Sequence, residues 1–195
     1  EDKPLEFDIK REKITINPVA FYGIIKNDIG YIRLTNFTDK AGIETEKALL
    51  DLKSQGAKAI VLDLRSNPGG ILDEAVKVAN LFVKKGAEIV STKGKVKQWD
   101  KVYQTRRNPI DADIPLAVLV NSGSASASEI VAGAIQDLDG GVVIGSRTFG
   151  KGLVQTTRSL SYNSQLKITT AKYYIPSGRC IQALDYTHRN EDGSV

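Results

Sequence analysis

Apolar and polar residues alternate from Leu5 through Glu6, Phe7, Asp8 and Ile9 to Lys10, and the alternation resumes at Lys13-Ile14-Thr15-Ile16 before Asn17-Pro18 breaks it. This predicts a half-exposed edge strand, or the stump of a preceding domain, over roughly the first 17 residues. Ile24-Ile25-Lys26 and Gly30-Tyr31-Ile32-Arg33-Leu34 predict a hairpin turning at Asn27-Asp28. From Ala41 to Gln55 apolar residues recur at helical spacing, and Gly56 follows as a C-terminal stop. Ala59 to Leu64 is apolar on both faces as far as Asp63, the pattern of an interior strand. The tight turn Ser66-Asn67-Pro68-Gly69-Gly70 comes next, then helical periodicity from Leu72 to Val83.

The same order recurs downstream. Pro115 to Val120 reads as a buried strand, Asn121 to Ser128 is a turn of small residues, and Ile130 to Ile135 opens a helix. Between the two units, Ile89 to Tyr103 predicts an exposed hairpin or loop, with Trp99 read as a packed aromatic. Gly140 to Gly145 predicts a short buried strand and Leu166 to Ile175 another, ended by Pro176-Ser177-Gly178, with a polar tail from Asp185. The repeated strand-turn-helix pattern makes this an α/β chain of repetitive architecture.

Composition narrows the class. With 195 residues, 41% hydrophobic and 26% charged, the chain has the length and make-up of one ample globular domain. No apolar run approaches the ~18 residues of a membrane span. The 27 Lys and Arg against 23 Asp and Glu give a net charge of +4. These basic residues are scattered, which is no nucleic-acid signature. Cys180 is the only cysteine, so no internal disulfide forms and the compartment stays open. A chain that starts at Glu1 and contains no methionine reads as a processed or excised piece.

The candidate chemistry centres on Ser126. Strand, tight turn and helix start hold a hydroxyl at the mouth of a fold, with backbone N–H groups beside it. The same Ser126-Ala127-Ser128-Glu129 also fits a capping box, which needs no chemistry at all. A serine nucleophile requires a base. His188, the lone histidine, lies in the polar tail and suits a Ser-His-Asp triad poorly.

Lys151 suits better: glycines flank it, and Phe149 and Leu153 offer apolar surroundings that could strip water from an amine and free its lone pair. A Gly-Lys-Gly surface turn is the plain alternative. Gln155, four residues on, can accept a hydrogen bond from the amine and aim it. The N–H of Ala127 at the helix start and that of Gly70 in the matching turn are candidate donors to an oxyanion. For the Gly70 turn the plain reading is chain reversal.

Three motifs in register carry a family resemblance: Asp63-Leu64-Arg65-Ser66-Asn67-Pro68-Gly69-Gly70, Ser124-Ala125-Ser126-Ala127-Ser128-Glu129-Ile130, and Thr148-Phe149-Gly150-Lys151-Gly152 with Gln155. They resemble the carboxyl-terminal processing proteases, also called tail-specific proteases, the S41 family of serine peptidases. Tyr173-Tyr174-Ile175-Pro176-Ser177-Gly178-Arg179 is similar to that family's closing strand motif, with Ile175 where threonine is more usual.

The resemblance implies Ser126 as nucleophile, Lys151 as general base, Gln155 as its orienting residue, and Gly70 and Ala127 as oxyanion donors. It implies a crotonase/Clp-protease-like α/β core of repeated strand-strand-helix units over residues 21–195, needing no metal or cofactor. Residues 1–20 become a strand or linker left over from a PDZ domain upstream. Substrates become polypeptides bound extended and cut near their C-termini, in a bacterial periplasm or cell envelope, with the stretch Arg33 to Phe37 as a candidate pairing edge. Two rivals stand beside this reading: a non-catalytic peptide-binding or scaffold fragment, and a crotonase-like acyl-CoA enzyme using the same N–H pair, for which no acidic base is convincingly placed.

Overall fold

The computed structural model describes residues 4–12, 14 and 16–186. Lys13, Thr15 and His188 lie outside the described residues. Among those described before Pro18, none belongs to a helix or strand, and Leu5, Phe7, Ile9, Ile14 and Ile16 are exposed. Ordered pairing begins with β1 (Val19–Lys26) and β2 (Ile29–Leu34), the expected hairpin. Asn27 and Asp28 both take positive φ, 44° and 67°, which is what a two-residue hairpin turn requires of its central residues.

α1 (Ala41–Ser54) follows, then β3 (Ala59–Asp63) and α2 (Leu72–Ala79). The expected helix to Val83 gives way past Ala79 to tighter turns, the Leu81 N–H donating to the Val78 carbonyl at 3.1 Å and the Phe82 N–H to the Ala79 carbonyl at 3.0 Å, around a buried Asn80. Its Nδ2 donates to the Arg107 carbonyl at 2.6 Å, and its Oδ1 accepts from the Arg106 and Arg107 N–H groups at 3.1 and 3.0 Å. β4 (Glu88–Gly94) and β5 (Lys101–Gln104) form the second hairpin, with a single 3₁₀ turn at Lys97–Trp99 between them. Trp99 is not packed as expected: it is 50% exposed, with the Arg158 guanidinium 6.0 Å over its ring.

β6 (Leu116–Val120) leads into α3 (Ala127–Asp137), β7 (Val142–Gly145), β8 (Leu153–Ser159) and β9 (Gln165–Tyr174). β8 was not legible as a strand from its residues. The strands make two sheets, one ordered β1-β2-β3-β6-β7 and the other β5-β4-β9-β8. In the first, β2, β3, β6 and β7 run parallel, while the second is antiparallel.

β7 corrects another expectation. It is the edge of its sheet, so only Val143 packs inward, and Val142 and Ile144 stand 59% and 52% exposed. α3 touches both β7 and β4, which ties the two sheets through one helix. The core lies where Ile32, Leu34, Ile60, Leu62 and Val118 of the parallel sheet meet the buried faces of the helices. Burying each such side chain contributes roughly 1.5–3 kcal/mol.

Register decides where chemistry can gather. Asp63 of β3 lies opposite Leu119 of β6, and Val120 of β6 opposite Gly145 of β7. The segments leaving β3, β6 and β7 therefore start from one edge of the sheet, at the carboxyl ends of adjacent parallel strands. That edge is where open α/β sheets place their ligands.

Candidate active site

All three marked segments meet at this edge. The turn after β3 carries Gly69-Gly70, the turn after β6 carries Ser126, and the loop after β7 carries Lys151. The first two turns are sewn together by side chains the sequence offered only as small and polar. Asn121 Oδ1 accepts the Ser66 N–H at 2.7 Å, Ser124 Oγ donates to the Leu64 carbonyl at 2.7 Å, and Ser128 Oγ donates to the Asn67 carbonyl at 2.9 Å. The Ala125 N–H reaches the same Asn67 carbonyl at 3.0 Å, while Asn67 itself donates to the Leu34 carbonyl at 2.9 Å. Ser124, Ser128 and Asn67 are fully buried, so each missing partner would strand a polar group away from water.

Within this web Ser126 adopts φ 55° and ψ −112°, a conformation that costs a non-glycine residue about 1–3 kcal/mol. It is the sharp strand-to-helix turn that presents a serine hydroxyl at the start of a helix. The half-exposed Ser126 lies directly against the other turn: a Cβ on Gly69 would fall 2.9 Å from Ser126 Cβ and 2.8 Å from the Ala127 nitrogen. With φ +95° at Gly69 and +148° at Gly70, where a Cβ would run into the Phe37 carbonyl, only glycine fits either place.

The N–H groups of Gly70 and Ala127 donate to no acceptor among the described residues, although their neighbours are engaged. Ile71 donates to the Phe37 carbonyl at 2.8 Å and Ser128 to the Ala125 carbonyl at 3.1 Å. Two unpaired donors flank the Ser126 turn, one of them at a helix N-terminus whose dipole favours negative charge.

The stretch Arg33 to Phe37 is not the free edge expected. The Thr35 N–H donates to the Pro18 carbonyl at 2.9 Å, and the Phe37 N–H to the Gly69 carbonyl at 3.0 Å. Its backbone is spent within the fold, and at Phe37 on shaping the glycine turn.

Lys151 reaches the site through its backbone. Glu129, buried at the third position of α3, accepts the Ser126 N–H at 2.8 Å, the Gly150 N–H at 2.6 Å and the Lys151 N–H at 2.8 Å. The Phe149 N–H donates to the Ser124 carbonyl at 3.0 Å. The expected capping box is thus present in both halves, the Ser126 side chain toward the Glu129 N–H and the Glu129 carboxylate toward the Ser126 N–H, and the same carboxylate also holds the lysine loop. Sequence reasoning took Glu129 for a cap alone, because its second set of partners is backbone in a distant loop and leaves no trace in residue type.

The side chains are less assembled than the backbone. Lys151 and Gln155 are exposed, Phe149 is 63% exposed, and no hydrogen bond joins Ser126, Lys151 and Gln155 to one another among the described residues. The apolar surround expected for the lysine is not formed, because the Gly150-Lys151-Gly152 turn packs its glycines inward, Gly152 against Gln182, and turns the lysine out. A third cluster fixes the base of the glycine turn. Asp63 accepts from the Tyr31 hydroxyl at 2.5 Å and from Arg65 through Nε at 2.9 Å and Nη2 at 2.7 Å. Burial pushes the Asp63 carboxyl up, but these bonds outweigh it and hold the group below its ordinary value. No group of three or more His, Cys, Asp or Glu suited to a metal ion exists among the described residues.

The ends of the parallel strands thus bring together a strained serine, a glycine turn and the backbone of a glycine-flanked lysine. Residues 28–187 match the model of peptidase family S41, and the chain belongs to that family. A carboxy-terminal-processing protease of Bartonella bacilliformis is 44% identical over 190 residues, which is 95% of this chain and 43% of that protein. A "Probable CtpA-like serine protease" of Staphylococcus aureus is 44% identical over 176 residues, 89% of this chain and 34% of its own length.

Among solved structures, the photosystem II D1 C-terminal processing protease superposes with a TM-score of 0.77 at 37% identity, over 88% of this chain and 47% of that one. A lipoprotein from Streptococcus agalactiae shares the fold at a TM-score of 0.66 and 19% identity, over 82% of this chain and 60% of that one. The chain spans less than half the length of the curated relatives it matches.

Proposed function

We propose that this chain is the catalytic core of a serine endopeptidase that cuts polypeptides near their C-termini. Ser126 Oγ attacks the peptide carbonyl carbon while Lys151 Nζ takes its proton, and Gln155 orients the amine. The oxyanion of the tetrahedral intermediate is held by the N–H groups of Gly70 and Ala127. Lys151 then passes the proton to the leaving amine; in the second half Lys151 takes a proton from a water that attacks the acyl carbonyl, and returns it to Ser126 Oγ as the acyl group leaves as a carboxylic acid.

The observation that carries this reading is the strained Ser126 turn pressed against Gly69-Gly70, with two unpaired N–H donors beside it. Stored backbone strain and idle donors gain nothing for a merely structural helix start. In the working state the Lys151 side chain rotates inward and is shielded by substrate or by parts of the protein outside this chain. The exposed alternating residues Leu5 to Ile9 fit a strand that pairs with an upstream PDZ domain, and the whole protein would act in a bacterial periplasm or cell envelope.

The exposure of Lys151 favours one rival, a peptide-binding scaffold whose serine and lysine never meet. Incubating a disordered protein with wild type, Ser126→Ala and Lys151→Ala and reading products by mass spectrometry separates the two. Cleavage by wild type alone is expected. If an intact protein bearing its upstream domain cuts nothing, the scaffold reading holds.

A further inference from the structure

The two strand-turn-helix units each place a buried glutamate at the third position of the helix: Glu74 in α2 and Glu129 in α3. Their partners differ. Glu74 accepts the Gly42 N–H at 2.7 Å and pairs with Lys77, so it fastens α2 to the start of α1 and bonds to neither Ser126 nor the Lys151 loop. Glu129 has no cationic partner among the described residues. Its charge is balanced by three backbone N–H donors and the N-terminus of α3.

These three donors are not equivalent in role. One belongs to Ser126, and the other two to Lys151 and the glycine before it. Oε2 takes the N–H of Ser126 and that of Lys151 together, at 2.8 Å each. A single oxygen atom therefore fixes the distance between the backbone of the nucleophile and the backbone of the base. We propose that Glu129 is a positioning residue for the reaction: it holds the Lys151 loop in register with Ser126, so that a side-chain rotation, rather than a loop movement, brings the amine to the hydroxyl. This inference rests on the Ser126–Lys151 reading above.

Geometry makes the substitution informative. Glutamine offers one acceptor oxygen and one NH2. In either orientation at least one of the three donors faces an NH2 group instead of an oxygen. The Phe149 N–H to Ser124 carbonyl bond survives, so the loop stays docked but loses its fine placement. Misplacement of about 1 Å at such a site costs about 100-fold in rate.

The test is made in the full-length protein with wild type, Glu129→Gln, Glu74→Gln and Ser126→Ala. Readings are kcat and KM on a cleaved peptide, the rate of fluorophosphonate labelling at Ser126, and Tm. Glu129→Gln should lower kcat about 100-fold with KM within about twofold, and labelling should slow in proportion. Glu74→Gln, with a comparable loss of Tm, should keep kcat within about twofold. Should Glu129→Gln not fold, Glu129→Asp decides on the same readings: it keeps the charge but is one methylene too short to span both segments.

The proposal is overturned if the Glu129 variant works at the wild-type rate, or if Glu74→Gln loses as much kcat at equal Tm. Failure of the underlying reading looks different, because Ser126→Ala would then cleave as well as wild type.

Discussion

The β3–α2 and β6–α3 units are built alike and used differently. Both pass from a buried parallel strand through a tight turn into a helix with a buried glutamate at its third position. In the first unit the helix cap is Ile71, whose N–H goes to the Phe37 carbonyl, and the glutamate is spent on α1. In the second the cap is Ser126 in a strained conformation, and the glutamate is spent on the lysine loop. One unit supplies a rigid wall with one idle N–H, at Gly70. The other supplies the proposed nucleophile, Ser126, and ties it to a second loop. Function here comes from what the repeated frame is bonded to rather than from the frame.

The comparison breaks most visibly where the two turns touch. Gly69→Ala should reduce kcat/KM by at least ~100-fold and cost about 3 kcal/mol, from the unfavourable φ and the collision with Ser126 Cβ. Denaturant unfolding and steady-state kinetics read the two effects separately. Glu74→Ala strands the buried Gly42 N–H, and should cost about 2 kcal/mol of stability while leaving peptide cleavage intact. A fall in kcat as large as that of the Glu129 variant would erase the distinction between the units.

Asp63→Asn tests the wall's foundation, and its effect depends on pH. The Asp63 carboxyl is held below its ordinary value in the folded chain, so its contribution is fully present above the unfolded value of ~3.9 and lost as pH falls through the folded one. Asn should therefore cost about 2 kcal/mol near neutrality. The gap from wild type should shrink on acidification below about pH 4. A gap independent of pH would contradict the assignment. Smallest of all, Asn121→Ala removes the acceptor for the Ser66 and Gly123 N–H groups at an exposed spot, for about 1 kcal/mol by thermal unfolding.

Local signals carried much of this fold. Alternation and helical spacing place the first hairpin, α1, β3 and β6 well, and the glycine pair and the small-residue turn mark both touching segments. Longer-range facts left no local mark. Whether Gly140 to Gly145 is buried depends on what lies beyond it in the sheet, and it proves to be an edge. Trp99 is large and apolar enough to bury, yet the 3₁₀ turn between β4 and β5 sets it outside, under Arg158. The double role of Glu129 shows only once the loop after β7 is seen to return to α3. Lys151 was picked out by its glycines, but those glycines pack inward and leave the lysine in solvent, the reverse of the shielding that its proposed chemistry asks for.

The central claim is that the strain at the start of α3 exists to present one hydroxyl. The most direct measurement is peptide mapping of the full-length protein after reaction with a fluorophosphonate, which asks which serine is modified. The turn holds Ser122, Ser124, Ser126 and Ser128 within seven residues; Ser124 and Ser128 are buried with their hydroxyls engaged, which leaves Ser122 as the accessible alternative to Ser126. The account predicts a single adduct on Ser126, lost in Ser126→Ala and slowed in Lys151→Ala. An adduct on another of these serines, or peptide cleavage that persists in Ser126→Ala, would contradict it.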